Sequence, residues 1–77
     1  MEAKVEKVLN IIAETLGVPV EEIKPESELV KDLNAESLEI ADIVMKLKKE
    51  FQIEVPDEDI KNFAKVNDFV NLIIDSE

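Results

Sequence analysis

Cysteine and histidine are both absent from this chain. Without cysteine there is no disulfide scaffold, no thiolate nucleophile and no soft metal site. Without histidine the usual general base and the commonest transition-metal ligand are gone, so a histidine-dependent hydrolase triad is excluded. Tryptophan and tyrosine are missing too, which leaves a largely aliphatic core of the kind that opens more easily than an aromatic one. Basic residues are scarce: nine stand against nineteen acidic ones, a formal charge of −10. Nucleic-acid binding needs the opposite sign, and an anionic membrane surface would repel such a chain. No apolar run reaches membrane-spanning length. The charged start Met1-Glu2-Ala3-Lys4 leads into an amphipathic segment rather than a signal peptide, so a soluble, cytoplasmic protein is expected. No loop has the ligand spacing and glycine of an EF-hand, which argues against a calcium sensor. The acidity suits plain solubility and, equally, partners that carry basic patches.

What is present suffices for one small all-α domain spanning residues 1–77. A chain of 77 residues, 45% of them hydrophobic, folds around a single core and buries only about 60% of its unfolded surface. Val5, Val8, Leu9, Ile12 and Leu16 recur at helical spacing and predict a first helix over 3–16. Gly17, the only glycine, supplies its left-handed C-terminal residue, and Pro19 prevents continuation. Residues 17–35 read as a long first loop pinned by Val18, Val20, Ile23, Leu29, Val30 and Leu33, with a brief helical turn near 20–23 or 27–31. After a second helix, Gln52-Ile53-Glu54-Val55-Pro56 alternates like a strand but has no partner, so an extended linker is expected. Asp57 is a good N-cap for a short helix over 58–63. A last helix over 67–75 places Val66, Val70 and Ile73 on one face, flanked by Phe69, Leu72 and Ile74; Lys65 is a poor cap for it, so its start is expected to fray. The result is a bundle of three main helices plus one short one. Its expected core is Val5, Val8, Leu9, Ile12, Leu16, Ile40, Val44, Leu47, Phe51, Ile60, Phe63, Val66, Val70 and Ile73.

The second helix, from Ser37 to Phe51, carries two apolar stripes. Ile40, Val44, Leu47 and Phe51 fall within about 60° of one another, with Ile43 beside them, and form the core face. Leu38, Ala41 and Met45 group about 100–160° away, where the helix should meet solvent. Exposed apolar groups framed by Glu39, Asp42, Lys48 and Lys49 suit a docking surface. The plainer reading is that folded surfaces are more than half apolar in any case.

Leu33-Asn34-Ala35-Glu36-Ser37-Leu38-Glu39, the helix that follows, and then Phe51-x-Ile53-x-Val55-Pro56-Asp57-Glu58 together resemble the acyl carrier protein family. Its pattern there is Leu-Gly-x-Asp-Ser-Leu-Asp/Glu, a helix ending in Glu-Phe, and an Ile-Pro-Asp-Glu turn. The resemblance implies a four-helix carrier fold whose long first loop delivers the serine; Leu29, Asp32 and Leu33 match the lead-in. It implies that Ser37 receives 4′-phosphopantetheine from coenzyme A through a phosphodiester. The arm's thiol would then carry acyl groups as thioesters for fatty-acid or related synthesis. Glu36 and Leu38 complete the attachment motif. The implied partners are a phosphopantetheinyl transferase and acyl-loading or acyl-processing enzymes; the protein itself would be a monomeric substrate of enzymes rather than a catalyst. A hydroxyl at a helix N-terminus projects outward, and the positive end of the helix accommodates a phosphate.

Three departures from the family pattern matter. Glu36 replaces the acid, Asp, that contributes to transferase recognition; the charge is kept but moved by one methylene. Asn34 replaces Gly, a mild change because Asn tolerates left-handed backbone. Lys46, Lys48 and Lys49 make the far half of the second helix basic, where relatives in fatty-acid synthesis are mostly acidic. That pattern fits either a changed choice of partner or simply the negative end of the helix dipole. A carrier of another cargo, such as an aminoacyl group, and an unmodified acidic interaction module are the alternatives to an acyl carrier.

Overall fold

The branched and aliphatic residues spaced along the first fifteen described positions wind into α1, Glu2–Leu16, and the other long helices close over it. The computed structural model describes residues 2–61 and 63–75. α2 runs Ser37–Phe51, α3 is the single turn Asp57–Ile60, and α4 runs Val66–Asp75. α1 packs against both α2 and α4 and touches a 3₁₀ turn at Val20–Glu22, within the long first loop. No strand forms among the described residues; one isolated bridge pairs Glu28 with Lys65. The segment 53–56 is the extended linker that its lack of a partner predicts.

Gly17 stops α1 as expected: it adopts φ +70°, and the Gly17 and Val18 N–H groups both donate to the Ala13 carbonyl, at 2.8 and 3.1 Å. That geometry satisfies a terminal carbonyl that would otherwise be orphaned. The short helix begins at Asp57, expected as its cap, and ends at Ile60, before the expected residue 63.

The core centres on Val8 and Ile12 of α1, Ile43, Val44 and Leu47 of α2, and Val66, Phe69, Val70 and Ile73 of α4. Each of these large side chains contributes about 1.5–3 kcal/mol on full burial. Three features differ from the sequence reading. Ile43, expected beside the stripe on α2, is fully buried, whereas Ile40 and Phe51 pack only partly against the core. Val5, Leu9, Leu16, Ile60 and Phe63 likewise sit half-buried around its rim. Phe69, expected on a flank, is fully buried, its ring 4.8 Å from that of Phe63. In their place, Ala13, Ile23, Leu29, Ala35 and Val55 enter the core, four of them outside any helix.

The first loop is stitched down rather than draped. Leu29 N–H donates to the Ala64 carbonyl at 2.9 Å, while Val66 N–H reaches the Ser27 carbonyl at 3.0 Å and Asn67 N–H the Pro25 carbonyl at 2.9 Å. Asp68 Oδ2 accepts both the Ala64 and Lys65 N–H groups at 2.9 Å. The start of α4 is therefore held, not frayed: an acid at its third position does what Lys65 as a cap does not. Two side-chain links clamp α1 to α2, Lys7 Nζ to Glu50 Oε2 at 3.2 Å and Lys46 Nζ to Thr15 Oγ1 at 3.0 Å.

Candidate functional site

Ser37 stands at the mouth of α2 because the chain is fixed immediately before it. Ala35 is buried, and its N–H donates to the Leu29 carbonyl at 2.8 Å. Asn34 makes the turn at φ +57°, the left-handed backbone for which Asn substitutes acceptably for Gly. Glu36 then lies extended as the residue ahead of the helix, and its carbonyl accepts the first helical bond, from Ile40 N–H at 3.0 Å. Glu39 reaches back with Oε1 to accept the Glu36 N–H at 2.9 Å. The Glu36 side chain accepts the Glu39 N–H in return, a capping box that closes two orphan donors of the first turn.

Ser37 is thus the first helical residue rather than the cap, and its hydroxyl is not spent on the backbone. The side chain is exposed and makes no hydrogen bond among the described residues. The other described hydroxyls are occupied. Ser27 is buried and accepts the Lys24 N–H at 3.2 Å, and Thr15 donates to the Ile11 carbonyl at 2.8 Å while accepting Lys46. Ser76 lies outside the described residues. The N–H groups of Ser37 and Leu38 also find no acceptor among the described residues. Two free donors at the positive end of a helix, beside a free hydroxyl, fit a phosphodiester. The nearby carboxylates of Glu36 and Glu39 oppose it, and Glu39 is partly occupied by its backbone bond.

The second stripe is exposed along the length of α2. Leu38 is 82% and Met45 66% exposed, with Ala41, Asp42 and Lys49 also exposed and Glu39 and Lys48 half-buried. A shallow groove lined by Leu38, Glu39, Ala41, Asp42, Met45 and Thr15 runs down from the serine. It meets a second groove at Met45, lined further by Lys48, Lys49, Gln52, Ile53 and Glu54. The residues singled out for attachment and docking therefore lie on α2, from its mouth to its last turn, or, for Glu36, immediately ahead of it.

Two arrangements were not foreseen. Lys46 is not a free cation of the far half, because it bridges Thr15 and pairs with Asp42 Oδ2 at 3.4 Å. Its i, i+4 spacing from Asp42 was the available signal. Gln52 ends α2 in left-handed backbone at φ +54°, with its N–H and that of Ile53 on the Lys48 carbonyl. That position ordinarily favours glycine, so only the tertiary structure could reveal it. Among the described residues there is no cluster of acidic side chains able to hold a metal ion and no helix long and apolar enough to cross a membrane.

The family model described as the phosphopantetheine attachment site matches residues 6–73. The chain is 48% identical over 68 residues to an acyl carrier protein of Clostridium acetobutylicum, covering 88% of each chain. It is 43% identical over 68 residues to an acyl carrier protein of one strain of Nitratidesulfovibrio vulgaris, and 41% to that of another, covering 88% of this chain and 90% of theirs.

Proposed function

This chain belongs to the acyl carrier protein family, and from that premise we propose that its arm is attached at Ser37 and that the exposed stripe of α2 is its docking surface. The protein is a carrier rather than a catalyst, bearing acyl groups on covalently bound 4′-phosphopantetheine. When attached, the arm supplies the terminal thiol on which acyl groups ride as thioesters, chemistry that a chain without cysteine lacks.

The observation that carries the assignment is the contrast among hydroxyls. Ser37 alone among those described is exposed and unbonded, whereas Ser27 and Thr15 hold structure together. The chain has no histidine to serve as the base toward Ser37. The chain contributes presentation: a fixed backbone, a free Oγ and two free N–H donors beside it. Leu38, Ala41 and Met45 then offer apolar contact next to the arm, with Glu36, Glu39 and Asp42 facing basic groups of the transferase and of acyl-handling enzymes. Fatty-acid or related specialised synthesis in the cytoplasm, by a monomer, is the setting that suits these features. The similarity to acyl carrier proteins and to the phosphopantetheine attachment site does not favour an aminoacyl cargo or an unmodified module, for which Glu36 is the best support.

Intact mass after incubation with coenzyme A and a broad-specificity transferase tests the site. One phosphopantetheine should be added to the wild type and to Ser27→Ala, and none to Ser37→Ala. Added mass that survives in Ser37→Ala places the arm elsewhere.

A further inference from the structure

α2 is charge-balanced in an otherwise acidic protein. Its sequence holds three acids and three lysines, so the whole formal charge of −10 resides outside it. The charges on it are not equally available. Glu39 is engaged with the Glu36 N–H, Asp42 pairs with Lys46, and Glu50 pairs with Lys7 across to α1. The side chains of Lys48 and Lys49, by contrast, make no ion pair or hydrogen bond among the described residues. The least committed charges on the helix are therefore cationic, and they flank the 66%-exposed Met45 in the groove completed by Gln52, Ile53 and Glu54.

We infer that this far half of α2 takes a carboxylate-bearing segment of an acyl-handling partner, an apolar side chain seated against Met45 and Ile53 with Asp or Glu beside it. The inference rests on α2 being the docking helix and adds the sign of the partner's charge at one end. The helix dipole favours lysines in the last turn but is indifferent to which side of the helix they occupy. Here Lys49 falls within about 40° of Met45 on the helical wheel, on the exposed stripe itself. The arm's own phosphate cannot be what they serve, since eleven to twelve residues at about 1.5 Å each put the lysines roughly 16–18 Å along the helix from Ser37. Apolar lining between the two cations fits a protein segment better than a bare phosphate, which would call for convergent donors. The partner's face is then dipolar: basic opposite Glu39 and Asp42, acidic opposite Lys48 and Lys49.

The probe is the source organism's enzyme that transfers acyl groups from coenzyme A to the holo chain, with Kd measured by calorimetry at low salt. Lys48→Gln with Lys49→Gln should weaken binding several-fold. Lys48→Glu with Lys49→Glu should weaken it by about tenfold or more, because like charges then meet. Changing the partner's facing carboxylates to lysine should restore the affinity of the glutamate pair. A wholly basic partner face predicts the reverse, tighter binding for the glutamate pair; that result, or no change, overturns the inference. Met45→Glu separates the two levels. If it too leaves Kd unaltered, α2 is not the docking helix, whereas if it weakens binding while the lysine variants do not, only the charge assignment falls. Thermal melts of the glutamine pair, which removes charge without reversing it, guard against a loss of fold.

Discussion

α2 and α4 begin alike and then part. Each follows a loop, and at each the acid in the third helical position reaches back to the N–H just ahead of the helix, Glu39 to Glu36 and Asp68 to Lys65, both at 2.9 Å. At α4 the next two N–H groups go to loop carbonyls of Ser27 and Pro25, and the leading side chain, Val66, is fully buried. At α2 the corresponding N–H groups, of Ser37 and Leu38, have no acceptor among the described residues, and the leading side chains stand in solvent. The reach-back by the third residue is therefore shared by both helices; what differs most is whether the first loop covers them. In a domain with so small a core, stability alone would favour covering both. The open mouth carries the serine, the free donors and an 82%-exposed leucine, a combination suited to receiving a group from outside.

The largest contrast should come from placing proline first in each helix. Proline is well suited to that position in general, since its missing N–H is one the helix does not use. Ser37→Pro removes an N–H that has no partner, and Glu36 ahead of it is already extended at φ −94°, ψ 161°, as a residue before proline must be. Its stability should stay within about 0.5 kcal/mol of the wild type, while modification is lost. Val66→Pro removes the donor to the Ser27 carbonyl and disturbs a fully buried side chain. It should cost about 2–4 kcal/mol in urea unfolding. Equal losses at the two positions would mean that the mouth of α2 is closed in solution by contacts like those at α4.

How much of this was legible beforehand follows the range of the forces involved. Gly17, the stripe of Val8 and Ile12, and the exposure of Leu38 and Met45 are set by local geometry and helical period, and each lies where spacing puts it. Leu29, Ile23 and Val55 are buried from irregular segments, where no period exists to announce it. Phe69 and Ile43 show the same limit within helices: spacing gave each face to within a residue, and packing across the bundle chose its centre. The helix that opens on Ser37 was legible from the motif. That Ser37 is unbonded while Ser27 is tied down was not, because a hydroxyl's partner depends on which loop lies over it.

A smaller effect separates the two reaching acids. Asp68 accepts two N–H groups with one carboxylate oxygen, whereas Glu39 accepts one. Asp68→Ala should cost about 1 kcal/mol net, after the better helix propensity of alanine is allowed for, and Glu39→Ala about half that or less. The order can be read from thermal melts of the two variants side by side. A larger loss at Glu39 would show that the serine's helix, not α4, depends more on its cap.

The smallest expected effect, and the finest probe of the open mouth, is Glu36→Asp. Asp is among the preferred residues ahead of a helix because its short side chain can accept an N–H of the first turn without disturbing the turn, which the longer glutamate does less well. The substitution keeps the charge, leaves the extended backbone of this position intact and does not touch the Glu39 bond to the residue 36 N–H. Stability should therefore rise by a few tenths of a kcal/mol, about 1–3 °C in Tm for a domain of this size. Modification should become faster if the transferase reads the position of that carboxylate, because moving it by one methylene changes its distance from a facing cation while leaving the Ser37 hydroxyl free. A gain in stability with no change in rate would assign Glu36 to the helix alone. A loss of stability would mean that the longer glutamate carboxylate fits the Glu39 N–H of the capping box better than aspartate does, so that Glu36 holds the mouth of α2 in place while the N–H groups of Ser37 and Leu38 stay free.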